Sequence, residues 1–448
     1  MGRDVHKVNA VVAVAEGSGG SRNWRSAIIA LLPMDILLTV TEGPNAGLTL
    51  RLDRRDNFVV GRSQSTSARL PAKDPYLSRF HFVVEVNPPR LRVMDLNSRN
   101  GTFVNGERIA TATEIRDGDR IKAGRSLFVA KVKVKPASPK QPTALPRKTT
   151  RPRSNRDSST EKKRESAAPL PGVPGYEIVR EVGRGGMGCV YEAIRAADRE
   201  TVAIKMVRPT IAATPKQIER FQREADILRQ LEHPGIVRFH QSGEANGLLY
   251  FVMEFVRGPN AEQYVRRRGA FSVPGAARVA TGILRALEHA HRRDFVHRDV
   301  KPANVILGEG PGRKMEVKLA DFGLARLYDE SNLSGLTLTG DIGGSPAFMA
   351  PEHILDFRNV GPAADIYGVS ATLYFLLCGA FIFDLPEDPV AGFGMVLEGE
   401  PVPIRNRRVD VPERLAAVID KGLSKDPADR FPSAQAMVEA LRPFAKRR

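Results

Sequence analysis

A segment with almost no large apolar residues divides this chain into two parts. It runs from Lys135 to Gly175 and consists mainly of Pro, Ser, Thr, Lys and Arg. Such a composition cannot bury enough apolar surface to offset the entropy lost when the backbone is ordered. We therefore predict a flexible linker of 41 residues. A chain of 448 residues is then expected to form a separate hydrophobic core on each side of it.

Much of the positive charge of the chain lies in and beside this linker. The formal net charge is +17, and residues 131–166 contain twelve Lys/Arg against three Asp/Glu. A solvated basic tether explains this excess better than a domain built to grip nucleic acid. Nucleic acid is therefore not an expected partner.

The cysteine content and the apolar runs of the sequence indicate in which cellular compartment the protein is expected. Only two cysteines occur, Cys189 and Cys378, and their wide separation argues against a disulfide scaffold or a zinc site. The longest apolar run, 27–40, is broken by a proline and an aspartate and is too short to span a bilayer. We expect a soluble, cytoplasmic protein without membrane association. Residues 1–34 are expected to be a disordered leader, and a weak signal-peptide core at 8–15 is the alternative.

Short β-strands separated by turns are predicted for residues 35–134. The candidate strands are rich in β-branched and aliphatic residues and are bounded by Gly, Pro, Asn and Asp. They are Ile36–Val40, Leu48–Leu52, Phe82–Val86, Leu91–Met94 and Leu127–Val134. This part of the sequence has no amphipathic helical period, so an all-β sandwich is its natural fold.

The sequence after the linker begins with a glycine-rich G-x-G-x-x-G pattern, Gly183 to Gly188. In a dinucleotide-binding protein this pattern opens a helix. Here a strand-like run follows it, a turn occurs at 198–200, and a second strand-like run ends at Lys205. We therefore predict a β-hairpin and reject the dinucleotide-binding interpretation.

Further motifs follow in a fixed order. They are Val202-Ala203-Ile204-Lys205, Glu224 in a helical pattern, His297-Arg298-Asp299-Val300-Lys301-Pro302-Ala303-Asn304, Asp321-Phe322-Gly323 and Ala350-Pro351-Glu352. This order resembles that of the protein kinase family. The resemblance covers residues 176–443, with a basic tail at 444–448, and implies a two-lobed α+β fold that transfers phosphate from ATP.

The resemblance also implies which residues bind the nucleotide. Lys205 is expected to hold the α- and β-phosphates, with Glu224 as its ion-pair partner. Adenine is expected to bind the carbonyl of Glu254 and the amide of Val256, behind Met253 as gatekeeper. The full set of expected nucleotide-binding residues is Gly183, Gly185, Gly188, Val190, Ala203, Lys205, Met253, Glu254, Val256 and Ile306.

The expected chemistry lies in two of these motifs. Asp299 is expected to accept or orient the proton of the substrate hydroxyl. Lys301, typical of the serine/threonine branch, adds positive charge at the γ-phosphate. Asn304 and Asp321 offer oxygen ligands for Mg²⁺, with Mn²⁺ as the alternative metal. The expected cofactors are ATP and this metal, and the expected catalytic residues are Asp299, Lys301, Lys205 and Glu224.

The resemblance further implies control by phosphorylation of the activation segment. Arg298 precedes the catalytic Asp299, and in kinases of this type that arginine needs an anionic partner to order the loop. Thr337 and Thr339 are the expected phosphorylation sites.

Two contacts in the same part of the chain are expected to be structural. Glu352 is expected to pair with Arg430, and Asp365 is expected to support the catalytic loop from below.

The predicted sandwich carries its own ordered motifs, Gly61-Arg62, Ser78-Arg79-Phe80-His81 and Asn97-Ser98-Arg99-Asn100-Gly101-Thr102. Together they resemble forkhead-associated (FHA) domains, which bind phosphothreonine. Arg62 and Ser78 are expected to bind the phosphate and Arg79 to add a second cation, since a phosphate dianion favours guanidinium and hydroxyl donors. Asn100 is expected to bind the ligand backbone, and His81 to support the loops. A sandwich without a ligand is the alternative.

The sequence thus predicts an ATP- and Mg²⁺-dependent serine/threonine protein kinase with an N-terminal phosphothreonine-binding domain, acting in signal transduction. Its expected partners are protein substrates with Ser or Thr hydroxyls and phosphothreonine-containing proteins, including the kinase itself. Dimerisation for trans-autophosphorylation is left open. The alternative is a catalytically inactive, phospho-dependent adaptor, but such proteins usually lose the residues found here at Lys205, Asp299 or Asp321.

Overall fold

The computed structural model describes residues 34–446, with gaps at 53–55, 65, 71–73, 88–89, 135–171, 186–187, 208–227, 246–247, 311, 313–314, 323–345, 357–358 and 386–388. Almost all of the expected leader and most of the expected linker lie outside the described residues, as do Glu224, Thr337 and Thr339. Within the described ranges, no helix is long and apolar enough to cross a membrane.

The N-terminal part is a sandwich of two β-sheets. Its strands are β1 (Met34–Glu42), β2 (Thr49–Leu52), β3 (Asn57–Gly61), β4 (Ala68–Arg69), β5 (Phe82–Asn87), β6 (Arg90–Asp95), β7 (Thr102–Val104), β8 (Glu107–Arg108), β9 (Thr113–Glu114), β10 (Arg120–Ala123) and β11 (Ser126–Val134). The strand order is β2-β1-β11-β10-β7-β8 in one sheet and β4-β3-β5-β6-β9 in the other. Alternate residues of the strands, such as Phe82, Val84 and Val86, form the buried core between the sheets.

The C-terminal part has two lobes. The first is an antiparallel sheet of order β12-β13-β14-β16-β15, made of β12 (Tyr176–Gly185), β13 (Gly188–Arg195), β14 (Thr201–Val207), β15 (Phe239–Ala245) and β16 (Leu248–Glu254). The second lobe combines a small hairpin, β17 (Val305–Glu309) and β18 (Met315–Leu319), with helices. These are α1 (Ala261–Arg268), α2 (Val273–His291), α3 (Pro351–Leu355), α4 (Pro362–Cys378), α5 (Pro389–Glu398), α6 (Ile404–Arg407), α7 (Glu413–Gly422) and α8 (Ala434–Ala445). The predicted fold class, an all-β sandwich followed by a two-lobed α+β fold, is confirmed.

Helix α4 is the centre of the helical lobe. It begins with Pro362 at the first helical position, where the missing amide hydrogen costs nothing, and nearly all of its side chains are buried. Helix α2 packs against it, and α8 covers α2. Asp365 lies in the first turn of α4, where the helix dipole favours a carboxylate. This position brings a buried charge beneath the loop that follows α2.

One outer face of the sandwich is apolar and is covered by the helical lobe. Val59, Val83 and Met94 lie on the face of the second sheet that points away from the sandwich core, and only 0%, 3% and 1% of their surfaces are exposed. They pack with the buried residues of the helical lobe. Sheets that face water on one side normally carry polar residues there. The apolar outer face therefore forms an interface between the two parts of the chain.

Close backbone approach accompanies this apolar contact. The Oγ atom of Ser67 donates a hydrogen bond of 2.7 Å to the carbonyl of Leu355, the last residue of α3. On α5, a Cβ added at Gly394 would lie 3.1 Å from the carbonyl oxygen of Leu96, which follows β6. A larger residue at position 394 would therefore push the sandwich away from the helix.

We predict that Met94→Lys separates the sandwich from the helical lobe without unfolding either part. The substitution removes a buried apolar contact worth about 1.5–3 kcal/mol and introduces a charge into the interface. The radius of gyration from small-angle X-ray scattering should rise, and hydrogen exchange in Pro351–Leu355 should become faster.

Phe103→Lys is the matched control, because Phe103 is a half-buried residue of the other sheet and lies away from this interface. Equal scattering and exchange for the Met94→Lys protein and the wild type would contradict the interface.

Candidate active site and phosphothreonine site

The glycine-rich motif forms the predicted hairpin. Strands β12 and β13 pair up to Gly185 and Gly188. Gly188 has a φ of +142°, and a Cβ at this position would lie 2.0 Å from the carbonyl oxygen of Met206 on β14. Glycine is therefore the residue that fits here. The dinucleotide-binding alternative is excluded, because the described residues after the glycine motif form strand β13 and not a helix.

The lysine of β14 pairs with the aspartate that follows β18. The Nζ atom of Lys205 lies 2.8 Å from Oδ2 of Asp321. Burial by itself would raise the pKa of Asp321, but the ammonium of Lys205 outweighs it and lowers that pKa below its usual range. Asp321 also has a φ of +64°, a strained conformation of the kind that clusters at functional sites.

The expected hinge follows β16. The carboxylate of Glu254 is bound by Lys318, with Nζ 2.8 Å from Oε1. The carboxylate of Glu254 is therefore engaged within the protein, and the contact of its backbone with adenine stays a prediction. Met253 and Phe322 line a cavity of about 40 Å³ behind the hinge, which agrees with a gatekeeper position for Met253.

The other expected nucleotide-binding residues lie on the strands around the hinge. Val190 is on β13, Ala203 on β14 and Ile306 on β17. Ile306 forms an isolated β-bridge with Asn260, the N-cap of α1, soon after Val256 in the chain. These strands therefore surround the space between the two lobes.

The catalytic-loop motif brings three functional groups together. The Nζ atom of Lys301 lies 2.8 Å from Oδ2 of Asp299. Asn304, which ends a 3₁₀ turn, donates from Nδ2 to the backbone carbonyl of Asp299 at 2.8 Å and to its carboxylate at 3.0 Å. Because Nδ2 is bound to Asp299, Oδ1 is the atom of Asn304 that can serve as a metal ligand.

Asp365 supports this loop, as predicted. Its carboxylate accepts hydrogen bonds of 2.8 Å from the backbone amides of His297 and Arg298 and contacts Nε2 of His291 at 2.8 Å. Burial would raise the pKa of Asp365, but these partners, led by His291, hold it below its usual range. Arg298 itself has a φ of +67°, so a buried carboxylate holds the strained residue before Asp299.

The side chain of His297 connects the catalytic loop to the segment around Asp321. Its ring is fully buried, with Nε2 2.9 Å from the carbonyl oxygen of Ala320. The ring centroid lies 4.5 Å from that of Phe322, in an edge-on contact. His297 therefore fixes the position of the catalytic loop relative to the segment that contains Asp321.

The predicted pair of Glu352 and Arg430 is also present. The Nη1 and Nη2 atoms of Arg430 lie 2.5 and 2.8 Å from the two carboxylate oxygens of Glu352. The guanidinium is fully buried and also donates to three backbone carbonyls. A buried, bidentate pair of this kind fixes α3 against the base of the lobe.

The donors of the site suit a divalent cation that is shared with phosphate oxygens. Asn304 and Asp321 offer an amide oxygen and a carboxylate, the hard ligands that Mg²⁺ takes from proteins. The described residues contain no cluster of three or more His, Cys, Asp or Glu that could form an all-protein metal cage. Two protein ligands agree with the way Mg²⁺ binds in phosphate-transferring sites.

In the sandwich, the loops that carry the FHA-like motifs are held together by the backbone. A Cβ at Gly61 would lie 2.0 Å from the carbonyl oxygen of Arg79, so the strand and the loop approach as closely as glycine allows. The amide of Arg62 donates to the carbonyl of Ser78 at 3.2 Å. Arg62, Ser78 and Arg79 therefore lie side by side, and the side chain of Arg62 is exposed.

His81 joins the two loops that carry these motifs, which confirms its expected structural role. Its Nδ1 accepts a hydrogen bond of 3.0 Å from the amide of Ser78, and its Nε2 lies 3.2 Å from the carbonyl oxygen of Gly101. The ring is fully buried, and this burial lowers the pKa of His81. A neutral imidazole that accepts at Nδ1 and donates at Nε2 satisfies both contacts.

The other residues expected to bind phosphothreonine have partners within the described structure. The Oγ atom of Ser78 accepts from the amide of Arg99 at 3.0 Å, and Nδ2 of Asn100 donates to the carbonyl of Tyr76 at 2.7 Å. The Nε atom of Arg79 lies 3.4 Å from Oε1 of Glu398 on α5. Asn100 thus joins its own loop to the loop that contains Tyr76 and Ser78. Arg79 reaches the kinase-like part of the chain.

The sequence analysis missed the contribution of α5 to this region. A cavity of about 350 Å³ lies between the sandwich loops and α5. Ser78, Phe80 and Arg99 line one side, and Met395, Leu397 and Glu398 line the other. The apolar residues on the outer face of β3, β5 and β6 were the signal that this sheet is covered.

Comparisons with known families agree with this architecture. The protein kinase domain family matches residues 176–441, more than half of the chain. The chain belongs to the protein kinase family. The FHA domain family matches residues 58–124, within the sandwich.

Individual relatives are bacterial serine/threonine kinases. The serine/threonine-protein kinase PknF of Mycobacterium tuberculosis is 36% identical over 271 residues, which cover 60% of this chain and 56% of PknF. The serine/threonine-protein kinase pkn3 of Myxococcus xanthus is 33% identical over 282 residues, which cover 61% and 50%. The chain spans about half the length of the curated relatives it matches.

A solved kinase-domain structure is also similar to this chain. The kinase domain of PknI from Mycobacterium tuberculosis, in a double-mutant form, is 30% identical and has a TM-score of 0.50. The similarity covers 62% of this chain and 100% of that domain. It agrees with the two-lobed fold after the linker.

We predict that acidification weakens the sandwich through His81. Its pKa is lowered from the ordinary value of 6.5, so the unfolded chain binds more protons than the folded one when the pH falls. The stability contributed by His81 is full above pH 6.5 and is lost as the pH falls through the lowered pKa. Hydrogen exchange in β5 and β6, followed from about pH 8 to about pH 5 and corrected for intrinsic exchange, should show this loss.

His81→Asn is the control, because an amide can accept and donate at the same place without titrating. Its protection should change less across this range. An identical pH dependence in both proteins would exclude His81 as the cause.

Proposed function

We propose that this chain is an active serine/threonine protein kinase that phosphorylates protein hydroxyls and itself. The observation that carries the proposal is the arrangement of Asp299, Lys301 and Asn304, whose loop is held from below by Asp365. The family uses ATP and a divalent metal, and the choice of Mg²⁺ for this chain belongs to the proposal.

The proposed roles follow from the chemistry of each side chain. Asp299 accepts or orients the proton of the substrate hydroxyl, and Lys301 beside it adds positive charge where the γ-phosphate binds. Lys205 holds the α- and β-phosphates, a role that requires its ion pair with Asp321 to be shared with the nucleotide. Asn304 and Asp321 would hold Mg²⁺, which when bound neutralises charge on the phosphates.

These residues act mainly by position and charge. Phosphoryl transfer requires little covalent work from the protein, so its rate depends on alignment and on fixed charges. Arg298, which precedes Asp299, and Asp321 itself have strained backbone. Buried contacts from Asp365 of α4 and from His297 hold that backbone in place. Such support keeps the charged groups aligned before the substrate binds.

We also propose that the sandwich binds phosphothreonine, on other proteins and on the kinase itself. The exposed guanidinium of Arg62 and the hydroxyl of Ser78 bind the phosphate, and Arg79 adds a second cation. Asn100, whose Nδ2 donates to the carbonyl of Tyr76 in the neighbouring loop, offers Oδ1 to the ligand backbone. Support for self-recognition comes from Arg79, which contacts α5, a helix that packs against the 3₁₀ turn Pro346–Phe348 at the end of the activation segment.

Lys205→Met and Asp321→Asn should each reduce phosphate transfer by about 10²–10³-fold, because each removes a fixed charge at the phosphates. Asp299→Asn should reduce it by about 10²–10⁴-fold. Autophosphorylation and transfer to a short peptide, both measured with radiolabelled ATP, check these values, and thermal unfolding verifies the fold.

Wild-type protein without measurable transfer would favour the inactive adaptor instead. Activity near the wild-type level in the Lys205→Met and Asp321→Asn proteins would contradict the assigned roles.

Arg62→Ala should abolish binding of phosphothreonine peptides, because it removes the main phosphate ligand, and should leave activity on a short unphosphorylated peptide unchanged. Fluorescence anisotropy with a phosphothreonine peptide and its unphosphorylated twin measures the first effect. Arg69→Ala is a matched control, since Arg69 is an exposed arginine of the neighbouring strand β4. Equal binding by the Arg62→Ala protein and the wild type would disprove the recognition assignment.

A further inference from the structure

The cavity between the sandwich and α5 is lined by side chains of positive and of negative charge. Ser78 and Arg99 line it on the sandwich side, and Met395 and Glu398 line it on the kinase side. Its volume of about 350 Å³ lies within the range of ligand sites in proteins. A ligand that enters it would contact the proposed phosphate-binding loop and a helix of the kinase at the same time.

The interface that creates this cavity is built into the packing. Val59, Val83 and Met94 are buried against the helical lobe, and Gly394 lets α5 approach the backbone at Leu96. The position of α5 relative to the recognition loops is therefore set by buried contacts, in addition to the linker that joins the two parts.

Glu398 occupies a position that its own helix disfavours. It is the last residue of α5, where the negative end of the helix dipole repels a carboxylate. Its ion-pair partner among the described residues is Arg79, at 3.4 Å. The carboxylate therefore finds its electrostatic complement on the sandwich.

The guanidinium of Arg79 cannot form a full ion pair with Glu398 and with a phosphate dianion at the same time. A phosphate bound at Arg62 and Ser78 carries about two negative charges and competes for the Arg79 guanidinium. When Arg79 turns to the phosphate, Glu398 loses its cation and faces the ligand. A positive side chain on the ligand then replaces Arg79 as the partner of Glu398.

We propose that the phosphothreonine site is shared between the two domains, and that Glu398 of α5 selects ligands with a basic residue close to the phosphothreonine. The proposal rests on the phosphothreonine recognition proposed above for the sandwich. Met395 and Leu397 supply apolar surface for the stem of that basic side chain. The kinase helix thus acts as a specificity-determining element for a ligand that the sandwich binds.

The expected preference is modest, because the side chains of Arg79 and Glu398 are 58% and 37% exposed. Exposed ion pairs contribute little, so a basic residue should improve affinity by about two- to fivefold. Salt screens such pairs, and the preference should decline as ionic strength rises.

The test uses the full chain with Asp299→Asn throughout, which prevents turnover of the peptides. The probe is a phosphothreonine peptide library in which one flanking position at a time is varied, read out by competition binding. The protein with the wild-type Glu398 should enrich peptides that have Lys or Arg at one flanking position by about two- to fivefold. Glu398→Gln should remove this enrichment, and Glu398→Lys should replace it with enrichment of Asp and Glu.

Two further variants separate the interface from general effects of charge. Gly394→Leu forces α5 away from the loop and should remove the basic preference while phosphothreonine binding persists. Glu439→Lys changes an exposed glutamate of α8 and should keep the wild-type preference. Thermal unfolding of each protein checks that the fold is intact.

The wild-type and Glu398→Lys proteins could both bind phosphothreonine and select the same flanking residues. That result would overturn the shared site and leave the sandwich alone as the recognition domain. The absence of any enrichment in the wild type would overturn it as well. If the wild type bound phosphorylated and unphosphorylated libraries equally, the recognition function itself would fail, and the shared site with it.

Discussion

The buried carboxylate of Asp365 is the contact on which the catalytic end of this molecule depends. It receives two backbone amides from the catalytic loop and the ring of His291, and hydrogen bonds to a charged group contribute about 1.5–3 kcal/mol each. These bonds hold Arg298 in a left-handed conformation, which turns the following Asp299 towards Lys301 and Asn304. The charge beneath the loop therefore offsets part of that strain.

A second constraint joins the two domains. Strands β3, β5 and β6 carry apolar residues on both faces, so the sandwich has one core inside and a second apolar surface outside. The helical lobe covers that outer surface, and α5 then adjoins the recognition loops. The sandwich is thereby more than a module on a tether, since its proposed ligand site has a wall made by the kinase.

Much of the chemistry could be predicted because it resides in short contiguous motifs. Asp299, Lys301 and Asn304 are close in sequence and meet through a single loop and turn. Gly188 could be assigned to a hairpin, because a strand-like run follows it. Glu352 and Arg430 are far apart in sequence, and their pairing was predicted from the family resemblance. The contact of Arg79 with Glu398 was not predicted, since no motif links the two residues.

The sequence by itself determined the two folding units, the strand character of residues 35–134, the hairpin at the glycines and the identity of the charged groups at both sites. These depend on local periodicity and on spacings within a few residues, which a chain carries along its length. Only the tertiary structure decided that Lys205 contacts Asp321, that Val59, Val83 and Met94 face a kinase helix, and that Glu398 lies beside Arg79. Those contacts depend on which buried surfaces meet across hundreds of residues, and the free energy of that packing is a property of the assembled fold.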